Sequence, residues 1–193
     1  MPEKYKGTKF GTVFLKKEIP QDAGIKKLKF WGSKLSLLGL TPEYDFGAAG
    51  NLSFRTAGGY IITAAGSNLG SLNDEDFVEV RSCSLDNSKV TVIGRREPSS
   101  ETMLHCAVYG KRPEIRVIFH VHDEYAVGRC EELGLKCTAK EYPYGSRELA
   151  AEVLKIIGSH DYIVMKNHGI ISLGATTDEA GERIIGVNGR IKG

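Results

Sequence analysis

The sequence predicts an α/β protein in which a mainly antiparallel or mixed sheet is covered by helices. Three observations carry that expectation. Short β-branched runs recur along the chain, two of them meet across Gly58-Gly59, and several longer segments place apolar residues at steps of three and four. At 193 residues the chain can bury one sizeable core, so a single domain over 1–193 is expected.

The elements follow in order. Asp22 to Leu40 reads as an amphipathic helix, with Ile25, Leu28, Trp31, Leu35 and Leu38 on one stripe and Gly39 placed to end it. Gly47-Ala48-Ala49-Gly50-Asn51 is a turn of small residues. Leu52 to Arg55 and Tyr60 to Thr63 are the two strands of the Gly58-Gly59 hairpin. Asp74 to Arg81 holds a short turn and then a strand through Val78 and Val80, and Lys89 to Gly94 is a further strand. A helix starts at Ser99, after Pro98, with Met103, Leu104, Ala107 and Val108 as its apolar face. Arg116 to His122 is a strand. Arg147 to Ile157 is a helix, Tyr162 to Lys166 and Ile170 to Leu173 are strands, and Thr177 to Ile185 is the last helix. That mixture of strands, hairpins and helices is what implies a sheet with helical cover.

Composition excludes several classes of function. Hydrophobic residues make up 41% of the chain and charged residues 26%, as in ordinary globular proteins. A formal net charge of +2, with no run of Lys and Arg, leaves no electrostatic footprint for nucleic acid. No apolar stretch approaches the roughly 18 residues of a membrane span. The segment Met1 to Phe10 is charged and lacks the apolar core of an export signal, so the cytoplasm is the expected compartment. There Cys83, Cys106, Cys130 and Cys137 are expected as reduced thiols, with Cys130 and Cys137 able to pair in an oxidising setting.

The most informative segment is Arg116-Val-Ile-Phe-His-Val-His122. Strand alternation turns Val117, Phe119 and Val121 to one face and Ile118, His120 and His122 to the other. Two imidazoles on one face can converge on one ion. Alone, the pair reads as partly exposed strand histidines. His168, in the turn Asn167-His168-Gly169 between two β-branched strands, adds a third imidazole, with Gly169 expected to permit the turn. Three imidazoles with an open position are a catalytic zinc arrangement. Glu101 lies in Pro98-Ser99-Ser100-Glu101 at a helix start, where a carboxylate is favoured by the dipole in any case. Beside a metal it would act as a base. Ser99 and Ser100 read either as capping residues or as phosphate donors at a helix N-terminus. His105 is one turn after Glu101, either orienting it or semi-exposed, and His160 is expected in solvent.

These blocks together resemble the class II aldolase and adducin-head family. Gly50-Asn51-Leu52-Ser53 looks like its G-N-hydrophobic-S turn, and Ile62-Thr63-Ala64-Ala65-Gly66 like its I-T-P-S/T-G block. Pro98-Ser99-Ser100-Glu101 with His105 is similar to P-S-S-E-x-x-x-H, and His120-Val121-His122 and Asn167-His168-Gly169 to H-x-H and N-H-G. The resemblance spans about Asp22 to Ile185. It implies a three-layer α/β/α fold with a mixed, mostly antiparallel central sheet. It also implies a zinc ion, or another divalent metal, on His120, His122 and His168, with Glu101 as the acid–base residue. Asn51, Gly66, Ser99 and Ser100 would hold the phosphate of a small sugar phosphate, and a homotetramer is the implied assembly.

The implied reaction is cleavage of a fuculose-1-phosphate-like ketose 1-phosphate to dihydroxyacetone phosphate and an aldehyde. Glutamate at position 101, where related epimerases carry aspartate, favours the aldolase branch and leaves sugar-phosphate dehydratases or decarboxylases as the alternative. An adducin-like binding module is disfavoured by the histidine set. Two departures bear on the substrate. Ala64-Ala65 removes a phosphate-binding hydroxyl, for which Thr63 or Ser67 could compensate. The tyrosines that protonate the aldehyde in related enzymes have only Tyr142 or Tyr144 as candidates, and either could instead pack at the start of a helix.

Overall fold

Strand β1 (Gly11–Lys16) and helix α1 (Gly24–Leu37) open the chain, followed by a small two-strand pair, β2 (Glu43–Tyr44) and β3 (Gly47–Ala48). Strands β4 (Asn51–Thr56), β5 (Gly59–Thr63), β6 (Phe77–Ser84) and β7 (Lys89–Ile93) then precede α2 (Thr102–Lys111) and β8 (Val117–Val121). The remaining elements are α3 (Glu124–Gly128), β9 (Lys136–Cys137), α4 (Arg147–Ile156), β10 (Tyr162–Met165), β11 (Gly169–Gly174) and α5 (Thr177–Lys192). This computed structural model describes residues 7–44 and 47–192. The expectations for Met1 to Lys6 and for Gly193 fall outside the described residues.

Nine strands make one sheet in the order β1-β7-β6-β5-β4-β8-β11-β10-β9. Every neighbouring pair is antiparallel except β1 with β7 and β10 with β9, the two edge pairings. The sheet is thus mixed and mostly antiparallel, and helices cover both faces. On one face Ile118, Ile62, Val78, Val80 and Val92 pack with Met103, Leu104 and Val108 of α2 and Leu149 and Val153 of α4. On the other, Val117, Phe119 and Val121 pack with Leu28, Trp31 and Leu35 of α1 and Ala180 and Ile184 of α5. The alternation read along β8 is therefore real. Both of its faces are buried, however, so Ile118 lies in a second core and not on an exposed surface.

Helix α1 is held by fit as well as by its apolar stripe. Trp31 is buried against Gly181 of α5, where an added Cβ would come within 2.2 Å of the indole, and its Nε1 donates to Asp178 at 2.9 Å. Gly39, at φ +73°, ends the helix, as expected, and sends the chain back so that the Leu40 amide reaches the Leu35 carbonyl. The Leu40 carbonyl in turn accepts from the amide of His122, which ties this corner to the end of β8.

Several elements differ from the sequence expectation. β1 is an edge strand whose burial alternates, but its exposed Val13 and Leu15 are as apolar as the inward Phe14, so the sequence shows no polar–apolar alternation. α3 and β9 are too short to carry a period. The helix expected from Ser99 starts at Thr102, and Ser99 closes a turn before it by accepting from the Thr102 amide through its carbonyl at 3.0 Å. Cys130 and Cys137 are joined in a disulfide, with 6.4 Å between their Cα atoms, contrary to the expectation of four thiols; Cys83 and Cys106 are free. The segment from Arg129 to Leu135 loops back on itself and brings the pair together. No helix among the described residues is long and apolar enough to cross a membrane.

Candidate metal centre

Sheet register builds the site. In the ladder, His120 of β8 stands directly opposite Asn51 of β4 on one side and Ile171 of β11 on the other. Paired residues share a face, so Asn51 and His120 are turned the same way, toward the N-terminal end of α2. Ser53, two residues along β4, lies on that face as well. His122 follows just past the end of β8, and His168 sits in the turn between β10 and β11.

The three imidazoles converge. Their ring centroids are 5.0–5.3 Å apart, and one ligand nitrogen from each lies within 4.8 Å of the others. His120 Nδ1 donates to the Ile170 carbonyl at 2.9 Å, which orients the ring and turns Nε2 toward the other imidazoles and Glu101. Nε2 of His120 and Nε2 of His122 are 3.2 Å apart. Burial, reinforced by the neighbouring His120 and His168 rings, holds the His122 imidazole well below its usual range, so it is neutral. Imidazole nitrogens converging this closely form a donor set that a divalent cation would satisfy.

The turn works differently from its sequence reading. Gly169 is not the residue with unusual backbone; Asn167 is, at φ +56°, with its side chain donating to Glu141 at 2.8 Å. Gly169 is required for space. A Cβ there would lie 2.6 Å from the Val121 carbonyl oxygen, 2.8 Å from His120 Cε1 and 3.1 Å from His122 Cδ2. The glycine is what lets β11 pass beside the two rings.

Glu101 is the fourth component. It is 3% exposed, at the N-cap position of α2 and not within its first turn. One carboxylate oxygen is 2.9 Å from His120 Nε2 and the other 2.9 Å from His168 Nε2. Asn51 Nδ2 donates to the same carboxylate at 3.2 Å. Burial opposes its charge, but the charge and hydrogen bonds of His120 and His168 prevail, and the carboxyl is held well below its usual range. Asn51 Oδ1 is buried beside it with no hydrogen-bond partner among the described residues, an acceptor that a ligand hydroxyl would satisfy.

Sequence reasoning undervalued His105. It is fully buried, where a semi-exposed helix position was the simpler expectation. Its Nδ1 is 2.7 Å from Ser53 Oγ, which is 2.8 Å from the Tyr109 hydroxyl, and its Nε2 has no hydrogen-bond partner among the described residues. Burial takes its pKa down to about 3 against the opposing pull of Glu101. Ser53, in the Gly50-to-Ser53 block, is the signal that could have placed it inside. His160 is exposed, as expected.

The remaining substrate-side residues are brought near one another by backbone pairing. The Ser99 amide donates to the Thr63 carbonyl and the Ala65 amide to the Glu97 carbonyl, so the Ala64–Ser67 loop lies against Pro98-Ser99-Ser100. Gly66 is exposed at φ +70° at the tip of this loop. The two hydroxyls that could replace the missing one are already engaged. Thr63 Oγ1 accepts from the Leu52 amide at 3.2 Å, and Ser67 Oγ donates to Asp76 at 2.9 Å. Arg96 pairs with the same Asp76 and donates to the Ala65 carbonyl at 2.8 Å, bracing the loop from behind. Ser99 Oγ accepts from the Glu101 amide at 3.3 Å. Tyr144 is buried with its hydroxyl 3.4 Å from the Gly7 carbonyl, and Tyr142 packs against the α2/α4 core.

Residues 36–189 match the family described as the class II aldolase and adducin N-terminal domain. An L-fuculose phosphate aldolase from Methanococcus maripaludis is 32% identical over 152 residues, covering 72% of this chain and 79% of the relative. A methylthioribulose-1-phosphate dehydratase from Leptospira biflexa is 32% identical over 134 residues, covering 65% of this chain and 57% of that one. Among solved structures, an L-fuculose 1-phosphate aldolase superposes with a TM-score of 0.75 at 24% identity, covering 90% of this chain and 85% of that chain.

Proposed function

Because this chain belongs to the class II aldolase and adducin N-terminal domain family, we propose that it is a zinc-dependent lyase that cleaves a small ketose 1-phosphate to dihydroxyacetone phosphate and an aldehyde. His120, His122 and His168 are the proposed metal ligands and Glu101 the proposed acid–base residue. The proposal also takes the chain as one domain acting in the cytoplasm as a homotetramer. The observation that carries the chemistry is the Glu101 carboxylate bridging His120 and His168 at 2.9 Å each, buried and ionised. A buried carboxylate held against two of the three imidazoles is placed to exchange a proton with a substrate bound there.

A divalent metal held by His120, His122 and His168 would supply Lewis-acid stabilisation of negative charge on a substrate oxygen. The chain's own residues do the rest. Asn51, fixed opposite His120, holds the carboxylate in place and offers its free carbonyl oxygen to a substrate hydroxyl. Glu101 takes or returns the proton at carbon. Gly66, Ser99 and Ser100 form the proposed phosphate seat, and with Thr63 and Ser67 engaged elsewhere it relies on backbone amides and the two serines. A panel of ketose 1-phosphates tests the reading: metal-replete protein is expected to release dihydroxyacetone phosphate from at least one. None from any member would reject it.

A second reading, dehydration of a sugar phosphate, is favoured by the altered phosphate loop. It is in keeping with the dehydratase relative. Product mass separates the two, since dehydration removes water and leaves the carbon chain whole.

A further inference from the structure

A second cluster of reactive side chains lies away from the histidines and has no part in the proposed chemistry. Cys83 of β6 and Cys106 of α2 are both free and half-buried. Cys106 Sγ is 3.9 Å from the Cys83 carbonyl oxygen, which sets the two cysteines side by side. Met103, one turn before Cys106, brings its Sδ to 3.4 Å from Cys83 Sγ. Both cysteines line a cavity of about 220 Å³, together with Tyr60, Tyr109, Arg55 and Arg81. Inert structural cysteines are sealed in apolar surroundings, whereas reactive ones are partly exposed and beside cations. This pair packs against the apolar core but is only half-buried and lines a cavity, so a small reagent can reach it.

We propose that Cys83 and Cys106 are a reversible oxidation site that closes into a disulfide between β6 and α2 on reaction with a low-molecular-weight disulfide. The two thiols are not equivalent. Contact with Cys83 pulls the Cys106 thiol below its usual range, while the same bond and burial push Cys83 up. Cys106 is therefore the attacking thiol. Its thiolate attacks one sulfur of the reagent RS–SR, breaking that bond, releasing RS⁻ and leaving a mixed disulfide on Cys106. Cys83 then gives up its proton to the released thiolate and attacks Cys106 Sγ, expelling the second RS⁻, which is protonated from solvent to balance the proton lost from Cys106. Two cysteine thiols and one RSSR become one protein disulfide and two RSH, with no other reactant.

The bond would close a loop of 23 residues (106 minus 83) and tie β6 to the helix whose N-cap is Glu101. It would act in addition to the Cys130–Cys137 disulfide and independently of the metal.

The test treats native, non-reduced protein with oxidised glutathione and then counts thiols after denaturation. The expected result is a fall from two thiols per chain to none, a mass loss of about 2 Da, and a cross-linked peptide containing Cys83 and Cys106. Thermal unfolding should move up by on the order of 5 °C and return on mild reduction. Two variants read the order of attack. Cys83→Ser should trap a glutathione adduct on Cys106, and Cys106→Ser should give at least about tenfold less adduct on Cys83. Two independent adducts on the wild type, a cross-link from either residue to Cys130 or Cys137, or no reaction of the folded protein would each overturn the proposal.

Discussion

The two halves of the candidate site are built in opposite ways. The histidine half has its polar atoms aimed at a common point: three ligand nitrogens within 4.8 Å, and a carboxylate 2.9 Å from two of them. The loop half has its hydroxyls turned away, Thr63 to the Leu52 amide and Ser67 to Asp76. In the first half His120 lies in the sheet, His122 directly follows β8 and His168 sits in the tight turn joining β10 to β11, so strands and their ends fix all three. The second hangs on connections whose side chains satisfy one another. A metal site that must hold angles within narrow limits belongs on strands, and a substrate seat that varies between relatives belongs on loops.

The comparison can be broken most directly at Glu101. Glu101→Gln keeps the size and removes the charge, so turnover is expected to fall by roughly 10³-fold, while zinc content by elemental analysis stays near that of the wild type. Loss of both together would make Glu101 a ligand first and a base second. His122→Ala should do the reverse, weakening zinc binding by at least about 100-fold and abolishing the rise in unfolding temperature that zinc produces. Retained affinity would remove His122 from the ligand set.

Gly169→Ala probes the packing between the rings. With a carbonyl oxygen 2.6 Å and a His120 carbon 2.8 Å from the new Cβ, the backbone must shift. A stability loss of about 1–3 kcal/mol and weaker zinc binding are expected by denaturant unfolding and zinc titration. The opposing control is Ser67→Ala on the loop half. It should cost about 1 kcal/mol and change KM for a phosphorylated substrate less than about twofold, because that hydroxyl is bonded to Asp76 and not to a ligand. A large rise in KM would mean that Ser67 reorients to hold phosphate.

How far each half was legible in the sequence follows from the same contrast. Alternation along Val117 to His122 is a local property, so the common face of His120 and His122 could be read directly, and the spacing of Asn167-His168-Gly169 between two strands marked the third imidazole. The meaning of Gly169 could not be read, because it depends on what passes beside it in another strand. Its space requirement arises from Val121 and His120, 48 and 49 residues earlier (169 minus 121 and 120). His105 was misjudged for the same reason. A histidine in a helix looks semi-exposed until the β4 register brings Ser53 against its Nδ1. Edge strand β1 escaped notice because its outward residues, Val13 and Leu15, are apolar, which hides its alternation in the sequence.

The burial of His105 has a pH consequence. Its pKa is about 3 in the folded protein against about 6.5 in the unfolded chain. Between these values the unfolded state binds a proton that the folded state does not, so stability rises with pH across that window and is lost as pH falls from about 6.5 toward 3. His105→Asn should flatten this slope in denaturant unfolding measured at successive pH values, whatever its effect on overall stability. An unchanged slope would assign the acid sensitivity to other groups.

Proton exchange on a product tests the central claim most directly. Zinc-loaded protein incubated with dihydroxyacetone phosphate in deuterated water should replace one C3 proton, seen by NMR, at a rate that Glu101→Gln lowers by roughly 10³-fold. Exchange that persists in Glu101→Gln, or none in the zinc-loaded wild type, would contradict a carboxylate base acting beside a metal on His120, His122 and His168.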